Sequence, residues 1–253
     1  MNNLQSSRTV PQIFSFTRRD LAVERAQRLR QSSEAADWLG LDFADEVIER
    51  LSFMRFTPPR ARVCGVNGDI IASDLEPRGI DVSFVASPRH DGPIEDGPFD
   101  LIATCGSLET VNDLPGALIH IRNALSDGGL FIGQILGAGS VPNLRKIMLE
   151  ADGDRPAARI HPQIDTRAAT GLLERAGFSR QVVDSHSLTV RFSNFDRLIG
   201  DLREQALTSV LLSQAPHVGK AGLARARQAF DQLRDEDGKV TETFEVLTLT
   251  GWR

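Results

Sequence analysis

Cysteine is scarce in this chain, with only Cys64 and Cys105 among 253 residues, which excludes a disulfide framework and offers no zinc spacing. Both fall in apolar runs that read as strands, so buried, reduced thiols in a cytoplasmic protein are expected. Long apolar runs are missing as well. A bilayer span needs roughly 20 such residues, and the first ten positions are polar, without the apolar centre of a signal peptide. Basic excess is also lacking: 29 Lys and Arg stand against 34 Asp and Glu, for a net charge of -5. That argues against nucleic acid as the main partner, because phosphate neutralisation needs a basic surface. There is no internal repeat and no low-complexity tract. What remains is ordinary globular material, 41% hydrophobic and 25% charged, enough for one large α/β domain.

Residues 1–13 read as a flexible start, and the ordered domain is expected over residues 14–253. Residues 14–30, rich in Arg, Ala and Leu, make a basic entry helix. Leu41, Val47, Ile48 and Leu51 recur at helical spacing over residues 37–53, and Pro58-Pro59 ends that helix. Strands are expected at 61–65, 80–86, 99–103, 130–135, 181–185 and 244–252. Helices are expected at 70–75, 114–125, 166–176, 194–212 and 220–233, the last two forming a helical insertion over 194–235. Gly128 and Gly177 supply left-handed stops. Such alternation implies a doubly wound, mostly parallel sheet covered on both faces. Ligands of such sheets bind beyond the carboxyl ends of the strands, where strand order reverses.

Three stretches are distinctive in combination: Pro98-Phe99-Asp100-Leu101-Ile102, Val111-Asn112-Asp113-Leu114-Pro115, and Leu125-Ser126-Asp127-Gly128-Gly129-Leu130-Phe131. Together they resemble the middle of class I methyltransferases, where a strand, a helix and a glycine turn into the next strand follow one another. The basic entry at Arg18-Arg19, the run Leu172-Leu173-Glu174-Arg175-Ala176-Gly177-Phe178, and the ending from Glu236-Asp237-Gly238 to Gly251-Trp252-Arg253 narrow the resemblance. They are similar to the methyltransferase-like assembly factors of respiratory complex I and their α-proteobacterial relatives. Wider kin include the carrier-protein methyltransferase of biotin synthesis. The resemblance covers nearly the whole chain and implies a Rossmann-like fold with S-adenosylmethionine as cofactor. Some of the assembly relatives are associated with arginine hydroxylation, a chemistry for which this sequence displays no cofactor arrangement.

The chain departs from the family at three places in one pocket. The family's first strand ends in an acid and a Gly-x-Gly-x-Gly turn, which let the cofactor's methionine end meet bare backbone. Here the stretch is Val63-Cys64-Gly65-Val66-Asn67-Gly68-Asp69. Val63 replaces the acid, Asn67 and Asp69 replace two glycines, and side chains project where bare backbone is needed. The second strand should end in a ribose-binding acid about 20 residues past the turn, but Val85-Ala86-Ser87 stands there. Asp81 lies at the wrong end, and Asp91 serves only if its loop folds back. Finally, residues 87–98 are too few for the family's next helix and strand. The third, edge strand and its helix are therefore expected to be deleted, with the loss of one wall of the adenine site. Residues 80–86 become a sheet edge, to be capped by another segment or paired across a homodimer.

The resemblance places Gly65, Asn67, Gly68, Ser87 and Cys105 around the cofactor, and Glu109, Asn112 and His161 along the substrate cleft. Plainer roles compete for several of them. Asn112 and Asp113 suit a helix N-cap, and Glu109 suits a solvated loop. Arg18, Arg19, Arg25, Arg28 and Arg30 suit a solvated helix face. His90, His186 and His217 share no ligand-like spacing, so no metal is expected, and no catalytic residue is identified. Two functions follow. The first is a non-catalytic or cofactor-independent interaction protein with a protein partner, acting in respiratory-complex assembly. It rests on three coincident losses, since each missing charge-assisted hydrogen bond is worth roughly 1.5–3 kcal/mol. The alternative is an active S-adenosylmethionine-dependent methyltransferase with an atypical pocket, working by proximity.

Overall fold

A computed structural model describes residues 10–32 and 34–253. The first nine residues of the expected flexible start lie outside the described residues. Gln12, Ile13 and Phe14 are tied to the Asn112 side chain, so the ordered chain begins before residue 14.

Helices α1 (Phe16–Leu29) and α2 (Trp38–Phe53) lead into β1 (Arg60–Cys64), α3 (Gly68–Leu75) and β2 (Asp81–Val85). Next come β3 (Phe99–Cys105), α4 (Leu114–Asn123), β4 (Leu125–Leu136), α5 (Pro142–Asp152) and α6 (Thr166–Ala176). The chain closes with β5 (Ser179–Phe192), α7 (Phe195–Glu204), α8 (Lys220–Asp231) and β6 (Val240–Trp252). The strands make one six-stranded sheet in the order β2-β1-β3-β4-β6-β5. β2, β1, β3 and β4 run parallel, and β6 lies antiparallel between β4 and β5. The sheet is Rossmann-like, and among the described residues no strand stands outside β2, where the resemblance would place one. Residues 86–98 contain neither helix nor strand.

Apolar spacing decides which helix covers which face. Leu39, Phe43 and Val47 of α2, with Ile71 and Leu75 of α3, pack on Val63, Leu101 and Ile132. Leu118 and Ile121 of α4, with Leu172 and Leu173 of α6, cover Ile102 and Phe131 on the other face. α4 starts where Asp113 accepts from the Gly116 N–H, and α6 stops at Gly177 in the left-handed conformation.

Several elements differ from the sequence expectation, among them β4 and β6, which start at Leu125 and Val240. α5 was not anticipated; it packs with α7 and α8 around Phe192, Phe230 and Phe244. β5 is far longer than the expected 181–185, because it pairs with β6 all the way to Phe192. The helix expected over 194–212 ends at Glu204, two residues before Ala206 takes a left-handed φ of 58°. Gly128 turns the chain inside the bulged start of β4 and does not cap α4, which ends at Ala124.

β2 is the sheet edge. Among the described residues no strand pairs with its outer side, and Phe84 is 39% exposed. Capping by another strand of the same chain is therefore not what these residues do.

Gly65 is where the sheet and the turn after β1 meet. Its φ is +111°, and a Cβ there would stand 1.7 Å from the Cys105 carbonyl oxygen. Neither fault can relax without parting β1 from β3, so Gly65→Ala should cost about 3 kcal/mol or more. Gly171, inside α6 with open space where its Cβ would be, is the control. Gly171→Ala should stabilise by roughly 0.5–1 kcal/mol. Urea unfolding of both variants reads the difference, and equal effects would contradict this packing.

Candidate functional site

The carboxyl ends of β1 and β2 are the place where such a sheet receives a nucleotide-like ligand. Here α1 lies across them. Val23 and Ala26 of α1 pack on Val66 of the glycine turn, against Ala86 and Ala206. The Arg30 guanidinium donates to the Val66 carbonyl and pairs with Asp69 at 3.0 Å. Asn67 is 1% exposed and packs on α2, its Cβ 2.7 Å from where a Cβ on Gly40 would sit. Its Oδ1 is sequestered without a partner. A Cβ on Gly68 would meet Phe84 at 2.8 Å and Val63 at 2.9 Å. Gly65, Asn67 and Gly68 thus all abut protein atoms.

The loop after β2 completes the cover. The Ser87 hydroxyl donates to Asp20 of α1 at 2.8 Å, and Arg89 pairs with the same carboxylate at 3.0 Å. Arg19, 5% exposed, donates to the Pro88 carbonyl at 2.7 Å. The loop folds back far enough to bury His90 against Ser107, with 3.1 Å between Nε2 and Oγ. Burial, with Arg19 nearby, pushes the His90 pKa down to about 4. Asp91 stays exposed. The arginines of α1 correct the expectation of a solvated basic face. Arg19 is buried, Arg18 donates to the Leu211 and Ser209 carbonyls, and Arg25 donates to Thr208. Only Arg28 of the five is exposed.

A cavity of about 420 Å³ opens beyond the ends of β3 and β4. Glu109 and His161 line it; Asn112, Ser87, Cys105 and the turn after β1 do not. Glu109 is not in a solvated loop. Its Oε1 accepts from the Leu136 N–H at 3.2 Å, while Oε2 is sequestered with no partner. Burial pushes its pKa up to about 7. His161 Nε2 accepts from the Val210 N–H at 2.9 Å, and its ring meets Phe14 edge-on at 5.3 Å. Burial, and then Arg18, hold its pKa at about 4.

Asn112 faces away from any cleft. Its Oδ1 accepts from the Ile13 and Phe14 N–H groups at 2.7 and 2.9 Å. Asp113 is the residue that caps α4. Cys105 is fully buried, and its thiol donates to Gln134 at 3.4 Å, with the pKa raised by burial. Residues 205–212 form a strap along the cavity, held by Ser15 N–H to Val210 and Leu212 N–H to Ile13. Sequence reasoning missed Arg203, Thr110 and this strap. The apolar pair Leu211-Leu212 was their one trace, and it was absorbed into a helix that ends earlier. Among the described residues, no cluster of three metal-ligating side chains occurs.

His90, His161 and Glu109 each bear on the acid limb of stability. His90 and His161 titrate near 4 in the fold against 6.5 ordinarily. Their contribution is complete above about pH 6.5 and is lost as pH falls toward 4. Glu109 opposes them: with a folded pKa of about 7 against 4.5, it favours the fold increasingly as pH falls from 7 to 4.5. Each group contributes about 1.4 kcal/mol per pH unit, so the three together give a net loss of about that size. Glu109→Gln should then raise stability at pH 8 by about 2–3 kcal/mol and steepen the acid slope. Urea unfolding at pH 8, 6.5 and 5 tests this; a variant no more stable at pH 8 would contradict the burial of an ionised carboxylate.

Comparison with known proteins places the chain. The family model described as "Methyltransferase domain" matches residues 26–183. The mouse (Mus musculus) protein named arginine-hydroxylase NDUFAF5, mitochondrial, is 28% identical over 166 residues, 64% of this chain and 48% of its own length. Malonyl-[acyl-carrier protein] O-methyltransferase 1 of Coxiella burnetii is 27% identical over 249 residues, 89% of this chain and 85% of its own. Among solved structures, the 1,6-didemethyltoxoflavin-N1-methyltransferase of Burkholderia thailandensis is 13% identical, with a TM-score of 0.49 over 100% of this chain and 98% of that one. The chain spans about half the length of the arginine-hydroxylase relatives it matches. With a matched segment longer than half of its 253 residues, the chain belongs to the methyltransferase domain family.

Proposed function

We propose that this protein keeps the methyltransferase fold without a working S-adenosylmethionine site and acts through a protein partner as an assembly or interaction factor. One observation carries the reading. The space above β1 and β2 is filled by the chain's own Val23, Ala26, Val66, Ala86 and Ala206. The ribose-binding acid expected at the end of β2 is replaced by Val85-Ala86-Ser87, and the carboxylate nearest that end, Asp20 of α1, is engaged by Ser87 and Arg89. The positive end of the cover, Arg19 and Arg30, is committed to backbone carbonyls at Pro88 and Val66. These residues do not fit S-adenosylmethionine, so no chemical step is derived through it.

The family resemblance supports respiratory complex I assembly as the setting, and the relatives named arginine-hydroxylase accord with a protein as partner. A second copy of this chain is proposed on the outer edge of β2, where a row of backbone groups lacks a strand among the described residues. Sedimentation equilibrium should then show a concentration-dependent dimer; a monomer at every concentration overturns that part.

Thermal melts with about 1 mM S-adenosylmethionine or S-adenosylhomocysteine test the central part. A ligand at about 100 times its Kd adds roughly 2.7 kcal/mol, and each kcal/mol moves the Tm of a domain this size by about 2–4 °C. No reproducible shift is expected with either ligand. A shift of about 5 °C or more restores a working cofactor site and the methyltransferase reading.

A further inference from the structure

The closed end of the cleft and the open cavity beside it have opposite characters, and the cavity is built for a ligand of its own. Its volume of about 420 Å³ falls in the range of small-molecule sites, roughly 300–1,000 Å³. Leu136, Val141, Leu144, Met148 and Phe244 give it apolar walls.

Polar groups line it as well. Glu109 Oε2 and Thr110 Oγ1 are both sequestered with no hydrogen-bond partner. Buried polar atoms are rarely left so, and the pair calls for a hydrogen-bond donor on whatever enters. Arg18 and Arg203 line it too; Arg18 donates to the Leu211 and Ser209 carbonyls, and among the described residues no carboxylate is ion-paired with either arginine. Arg25 lies close by, its pKa lowered by burial and then by the charges of Arg203 and Arg28. Positive charge is thus crowded along this cavity, on a chain whose net charge is -5. An anion is what relieves it, whereas a cation would add to it.

We infer that the cavity binds a small organic acid, with its carboxylate at Arg18 and Arg203, its apolar body between Leu144 and Phe244, and a hydroxyl or amide donor reaching Glu109. The inference does not depend on whether a nucleotide cofactor binds, since none of the cavity walls belongs to the turn after β1.

Calorimetric titration with ω-hydroxyoctanoate as the probe tests it, with octanoate, octanol and octylammonium as comparisons. The hydroxy acid should bind in the absence of S-adenosylmethionine and equally in its presence. Octanoate, lacking the donor, and octanol, lacking the anion, should each bind about fivefold or more weakly. Arg203→Ala should weaken both acids and leave octanol unchanged. Glu109→Gln should remove most of the preference for the hydroxy acid over octanoate. Both variants are checked for an intact thermal transition first, and Arg203→Lys, which keeps the charge, should retain the acids. Failure of all four probes to bind, stronger binding of octylammonium than of the acids, or binding only when S-adenosylmethionine is present overturns the proposal. Hydroxy-acid binding alongside a separate S-adenosylmethionine shift overturns the non-catalytic reading and leaves this one standing.

Discussion

The contact between α1 and the turn after β1 is the constraint from which the rest of the site follows. Val23 and Ala26 are small enough to bring the helix axis down onto Val66, the residue that follows Gly65 in the turn. Arg30 reaches over the end of α1 to the Val66 carbonyl, and Arg19 reaches the Pro88 carbonyl. Two buried or half-buried guanidiniums therefore join the helix to both adjacent strand ends. Burying such charge is costly unless hydrogen bonds replace water. Arg19 Nε and Nη1 remain without partners, so its helix is held against an electrostatic cost by packing around it.

Beside the end covered by α1, the other half of the cleft gains its shape from the insertion after β5. The long β5–β6 hairpin carries α7 and α8 beyond the sheet end. The irregular strap that leaves α7 at Ala206 returns past Phe14 and His161. His161 can accept the Val210 N–H only as the neutral ring, and burial keeps it neutral. Asn112 pins the start of the chain against the same strap. The residues expected to touch a substrate thus part company. Asn112 builds the frame, His161 belongs to frame and cavity together, and Glu109 lines the cavity with one carboxylate oxygen unpartnered.

How much of this could be read beforehand depends on whether the signal was local. Periodicity and caps are local, so α2, α4 and α6 and the parallel strands were legible, with Asp113 and Gly177 marking helix ends. The short span of residues 87–98 was also a local count, and it revealed the missing edge strand. The direction in which that span folds was not local. Its return toward Ser107 is fixed by Arg19 and Asp20, nearly 70 positions away in sequence. The arginines of α1 misled for the same reason: five basic residues on a helix look solvated until the surface opposite them is known. α5 escaped because its Pro142 start follows Val141 in a left-handed turn that no residue type announces.

Native-state hydrogen exchange is the most direct measurement of the central claim, because it asks whether α1 is part of the core or a lid. If α1 closes the β1–β2 end as packed structure, the amides of Ala22, Val23 and Ala26 exchange only through global unfolding. Their protection should then match that of Leu101, Ile102 and Ala103 in β3. Exchange of the α1 amides orders of magnitude faster than those of β3 would mean that the helix lifts off independently. The cleft beneath it would then be open to a cofactor, and the account would fail.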